Sequence, residues 1–110
     1  MKEVVKDMWL QALRSGHYKQ GKGYLCSDGE YCCLGVLCDI AAMHGIIVKE
    51  KLDYYGNFNE VLPKKVMKWA GLEDENPTVL FEDCDVNLAE LNDGISCSFK
   101  SIANIIEKQI

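Results

Sequence analysis

Leu13-Arg14-Ser15-Gly16-His17-Tyr18-Lys19-Gln20-Gly21-Lys22-Gly23-Tyr24 brings together residue types that hold anions. Arg14 offers a planar two-pronged fork to phosphate, and Lys19 and Lys22 add point charges. Gly16, Gly21 and Gly23 would let backbone N–H groups approach an anion closely. Tyr18 and Tyr24 supply ring faces for a base, and Gln20 supplies an amide for a base or ribose. No carboxylate falls between Asp7 and Asp28, although the chain carries a net charge of -5. The spacing matches neither the Gly-x-Gly-x-x-Gly nor the Gly-x-x-x-x-Gly-Lys phosphate fingerprint. The competing reading is an exposed connection that happens to be basic.

Other chemistry-bearing residues are less persuasive. Cys26, Cys32, Cys33 and Cys38 lie close together but contain no Cys-x-x-Cys pair, so they read as core thiols rather than zinc ligands. Cys32 or Cys33 would sit at a helix start, where a thiol can be activated. A base is then needed, and only His17 and His44 are available. Between Glu73 and Asp93 there is no Lys or Arg among eight acids, which reads as a solvated face or as a docking patch for a basic host protein. Asp83-x-Asp85-x-Asn87 opens like a calcium loop, but the twelfth position is Gly94 rather than a glutamate. Asn92-Asp93-Gly94 reads as a helix stop, with Asn92 and Asp93 as weaker candidates for the ligand pocket of the basic loop. No metal, no cofactor and no catalytic residue is expected.

The elements that must position these residues follow from periodicity. Val4, Val5, Met8, Trp9, Ala12 and Leu13 give a first amphipathic helix over 2–15, ended by Ser15-Gly16. Tyr24-Leu25-Cys26 and Glu30-Tyr31-Cys32 flank an Asp28-Gly29 turn and predict a hairpin. A second helix runs from Cys33 to His44, and Ile46-Ile47-Val48 is a strand candidate. Tyr54 to Phe58 reads as a turn between extended pieces. Pro63 should open a third helix in its first turn, with Gly71 stopping it. Thr78–Phe81 is a further strand, Val86 to Leu91 a short helix, and Phe99 to Ile110 a last helix capped by Ser98.

These elements predict one α+β domain over residues 1–110, helix-dominated, with a short antiparallel hairpin or sheet. No run of about 18 apolar residues is present, so no membrane span is expected. Met1–Asp7 is amphipathic and carries acids, unlike a signal peptide, which points to the cytosol and to reduced thiols. The acidic balance argues against binding a nucleic acid polymer.

Four blocks together resemble a group of small, uncharacterised proteins encoded by bacteriophages and prophages. They are Ala12-Leu13-Arg14-Ser15-Gly16-x-Tyr18-Lys19-Gln20-Gly21, Tyr31-Cys32-Cys33-Leu34-Gly35-Val36-Leu37-Cys38-Asp39, Leu62-Pro63-x-x-Val66-x-x-Trp69-Ala70-Gly71-Leu72, and Leu88-Ala89-x-Leu91-Asn92-Asp93 with Ser98-Phe99-x-x-Ile102-Ala103. The resemblance implies the cytosol of an infected bacterium and a host-directed, anti-defence role. It carries no catalytic residues. The resulting expectation is a non-enzymatic protein, homo-oligomeric, that sequesters a small anionic signalling nucleotide through Arg14, Tyr18, Lys19, Gln20, Lys22 and Tyr24, assisted by Asn92 and Asp93. Two alternatives stand beside it: an inhibitor that binds a host enzyme through the acidic face, and a small cysteine-dependent hydrolase.

Overall fold

The computed structural model describes residues 1–48 and 61–110. The expected turn at Tyr54–Phe58 lies outside the described residues. The described part is an α+β domain, about half helical, with short strands in two small sheets.

Helix α1 spans Glu3–Ser15 and ends where Gly16 turns left-handed at φ 79°. Its buried stripe is Val5, Trp9, Leu10 and Leu13. Two strand pairs follow, and both converge on β3, Glu30–Tyr31. Strand β2, Cys26–Ser27, runs antiparallel to it, and Asp28 and Gly29 take the positive φ that the tight turn requires. Strand β1, Lys19–Gln20, pairs with β3 in parallel, Lys19 opposite Glu30. The basic loop is therefore partly sheet edge.

Helix α2, Cys33–Met43, is the core of the molecule. Every residue from Cys33 to Ala41 is buried, Asp39 included. An all-round apolar helix of this kind must be covered on every side. Trp9 of α1, itself inaccessible, reaches across and donates from Nε1 to the Cys33 carbonyl at 2.9 Å. The expected strand at Ile46-Ile47-Val48 does not form. These residues instead leave the end of α2, with Ile46 N donating to Ala41 O at 2.9 Å.

Helix α3, Lys64–Ala70, begins one residue later than expected. Pro63 stands before it with extended backbone, and Gly71 ends it at φ 73°. Strands β4, Thr78–Phe81, and β5, Cys84–Asn87, form an antiparallel hairpin. Val86 is thus in a strand opposite Val79, not at the start of a short helix. The helix α4 is shifted downstream, to Leu88–Asp93, where the Asn87 side chain accepts from Glu90 N. A left-handed pair at Glu82 and Asp83 reverses the chain after Phe81 and makes β5 possible. Helix α5, Phe99–Gln109, is capped by Ser98 and lays Ile102, Ala103 and Ile106 into the core beside α1. Among the described residues no helix is long and apolar enough to cross a membrane.

Candidate functional site

The eight residues singled out from the sequence do not converge. Arg14 lies on the outer face of α1 and is clamped to α5. Its guanidinium donates to Asn104 Oδ1 at 2.9 Å and pairs with Glu107 at 3.2 Å. That contact holds the Glu107 carboxyl below its usual range. Lys19 pairs across the sheet with Glu30 at 3.2 Å, and Lys22 donates to the Ser96 hydroxyl. Tyr24 and Lys22 line a different hollow, of about 310 Å³, which also contains Asp28 and Glu30. Each of the three cations therefore faces a local oxygen, and Glu30 both pairs with Lys19 and lines the hollow of Lys22.

Gln20 and Asn92 come together, but as a buried structural joint. Gln20 Nε2 donates to Asn92 Oδ1 at 2.9 Å and to the Cys97 carbonyl at 2.7 Å, while its Oε1 accepts from Phe99 N. Asn92 has no exposed surface. Its Oδ1 also accepts from Cys33 N, and its Nδ2 donates to Gly21 O and to Asp93 Oδ1, both at 2.8 Å. Every group on that amide is used, so β1, the start of α2, α4 and the start of α5 are tied through two side chains. Asp93 serves this joint as an acceptor.

Tyr18 is the exception, because it borders an open cleft. A cleft of about 690 Å³ opens between α1 and α2, within the size range of small-molecule sites. Met8, Gln11, Ala12 and Ser15 form the α1 wall, and Asp39, Ile40, Met43 and His44 form the α2 wall. His17, Tyr18 and Tyr31 close the end nearest the sheet. The Tyr18 hydroxyl donates to Asp39 Oδ2 at 2.5 Å, a charge-assisted length. The Tyr18 ring meets Tyr31 edge-on, with centroids 5.1 Å apart. Asp39 is 6 % exposed, while Met43 is 69 % exposed, so the carboxylate is deep and the methionine sits at the rim. His44, also at the rim, packs at a tilt against Trp69 of α3.

Asp39 was not among the residues expected to bind a ligand. Its signal in the sequence is its company: it is the one charged residue between Tyr31 and Met43. A carboxylate inside an otherwise apolar helix is rarely buried without a task, since its desolvation must be compensated. The periodicity of α2 gave no warning, because that helix has no polar side on which to place it.

The thiols are arranged for packing. Cys32 Sγ accepts from Gly35 N as the cap of α2, and Cys33 Sγ donates to the Leu88 carbonyl. Burial pushes the Cys32 thiol up to about 11 and raises Cys33 and Cys38 as well. A thiol so shifted is protonated at neutral pH and is a poor nucleophile. Among the described residues, no group of three His, Cys, Asp or Glu is placed to hold a metal ion.

No curated protein and no solved structure matches the chain. One family model does, and it matches residues 1–110. The chain that builds this cleft belongs to the family described as Domain of unknown function (DUF8296).

Proposed function

We propose that this chain is a phage-encoded accessory protein that captures a small ligand without transforming it, and that the cleft between α1 and α2 is the place of capture. The observation that carries the reading is a deep carboxylate and a tyrosine hydroxyl set side by side in a ligand-sized hollow. Its walls mix apolar side chains, Met8, Ala12, Ile40 and Met43, with polar ones, Gln11, Ser15, His17 and His44, and fixed polar groups of this kind orient a guest. Catalysis has less support. The buried thiols are held in their protonated form, and the hydroxyl nearest the carboxylate donates its proton to it in a contact that stiffens the floor. The phage and anti-defence setting rests on the sequence resemblance.

A ligand gripped by its phosphates would need Arg14, Lys19 and Lys22 at one place. Their separate partners weigh against a grip of that kind. The test is native mass spectrometry of the protein purified from a bacterial cytosol, beside an Ala12→Trp variant that fills the cleft from the α1 wall. Wild type should carry a low-mass species, released chemically intact on denaturation, and the filled variant should not. A species retained equally by both proteins, or released in altered form, overturns the reading. So does wild-type protein that carries nothing and binds nothing from a cytosolic extract.

A further inference from the structure

The outer edge of β4 already holds an amide. Leu80 stands opposite Asp85 in the β4–β5 hairpin and turns both its N–H and its C=O away from β5. The Gln109 side chain meets both groups from α5. Leu80 N donates to Gln109 Oε1 at 2.7 Å, and Gln109 Nε2 donates to Leu80 O at 2.8 Å. One residue of a neighbouring strand would make the same two bonds. The edge is therefore shaped for a peptide group, and a side chain stands in for it.

The contact is exposed, and so is the Leu80 side chain. Neutral hydrogen bonds in such a place add little, because water competes for both partners. An incoming strand replaces the two bonds that it displaces. Alternation along β4 points the Thr78 N–H and C=O to the same side as those of Leu80. Beyond Thr78 the edge runs into a hollow of about 550 Å³, with Leu72, Pro77 and Ile110 in its lining. Among the described residues its charged side chains are Glu73 and Asp74.

The charge selects the occupant. A second copy of this chain, paired antiparallel about Leu80, would set its own Glu82 opposite Thr78 and its own Asp83 opposite Pro77. Both acids would then stand beside the hollow that holds Glu73 and Asp74. Like charges so placed oppose self-pairing, and a strand carrying lysine or arginine is attracted instead. We propose that the outer edge of β4 docks an extended basic segment of a partner protein, which adds to it as a strand and displaces the Gln109 amide. The site is separate from the α1–α2 cleft and does not depend on capture there.

The probe is the peptide acetyl-Lys-Val-Lys-Val-Lys-Val-amide, titrated into 15N-labelled full-length protein and followed by backbone amide shifts. Thr78 and Leu80 should shift in a saturable way, and added salt should weaken the response. Gln109→Ala should bind about tenfold tighter, since the competing amide is gone. Glu73→Gln combined with Asp74→Asn should bind more weakly, and the asparagine keeps the oxygen that accepts from Asn76 N. The fully N-methylated peptide has no N–H to donate and should leave Leu80 unmoved, a control that needs no change in the protein. The same peptide with glutamate in place of lysine should bind far more weakly. Equal binding by the N-methylated peptide would overturn strand addition, and equal binding by the glutamate peptide would overturn the basic partner. Gln109→Ala that binds no tighter, or no shift at Leu80 in either protein, would leave the amide as a guard of the edge and overturn the docking site. Dimerisation of Gln109→Ala without peptide, seen by sedimentation, would overturn the choice of occupant in favour of a second copy.

Discussion

Among single residues, Asn92 and Arg14 show how differently two polar groups can matter. Both make several hydrogen bonds, but Asn92 is wholly inaccessible and Arg14 sits at the surface. Deleting the Asn92 amide would strand Cys33 N and Gly21 O in a space that water cannot easily enter, and would take one of three partners from the Gln20 amide. Each stranded group costs about 1–3 kcal/mol. Asn92→Ala should therefore lower unfolding free energy by about 3 kcal/mol or more, read from urea denaturation. Arg14→Ala breaks an exposed pair with Glu107, and such pairs contribute about 1 kcal/mol or less. Equal losses from the two variants would mean that the joint around Asn92 is wetter than its burial indicates. Tyr18→Phe belongs between them. It removes one donor from a buried carboxylate, and it should cost about 1–2 kcal/mol in the same measurement.

At the level of elements, the sharpest constraint is the close approach of α2 to Leu25, the residue that leads into β2. Gly35 lies inside α2, where alanine would normally favour the helix by about 1 kcal/mol. Here a Cβ would overlap the Leu25 carbonyl oxygen, which is backbone and cannot step aside. Gly35→Ala should thus reverse the usual sign and destabilise by about 3 kcal/mol or more, with a lower thermal midpoint. A neutral or stabilising result would show that the Leu25–Cys26 segment can retreat. The sequence did not mark this glycine as special, because close approach between distant elements leaves no local pattern. What it did mark were features with local causes. The stripe of α1, the Asp28-Gly29 turn, the stop at Gly71 and the Ser98 cap all arise from neighbours in the chain. The strand at Cys84–Asn87 is local as well, but it turns on left-handed Glu82 and Asp83, which lack the glycine of an Asp-Gly turn. The parallel pairing of β1 and the cleft come from contacts between separated segments. For the same reason the basic loop could be seen while the carboxylates that neutralise it could not. Glu107 lies 93 residues from Arg14, and only the packing of α5 on α1 joins them.

For the molecule as a whole, the thiols couple the core to pH. Four of the six cysteines are buried, Cys84 is exposed and Cys97 is intermediate. An aromatic disulfide reagent should modify Cys84 quickly and Cys97 more slowly in the native protein, and the other four only after unfolding. The protonation of the buried set then sets a direction for stability. Burial raises Cys32 from 9.0 to about 11, and it raises Cys33 and Cys38 by the same cause. The unfolded chain would release these protons from about pH 9 upward, whereas the folded chain keeps them. Above that point the native state binds more protons than the unfolded state, so unfolding free energy falls as pH rises. The contribution is whole below pH 9 and is lost as pH climbs toward about 11. Each buried thiol steepens the fall by at most about 1.4 kcal/mol per pH unit. Urea midpoints should hold steady from neutral pH to about pH 8.5 and then drop, with a shallower drop in Cys38→Ala than in wild type. In a Cys84→Ser, Cys97→Ser variant, where only the four buried thiols remain, thiolate absorbance growing at about pH 9 with no loss of structure would mean that the helix at the centre of this fold is hydrated rather than dry.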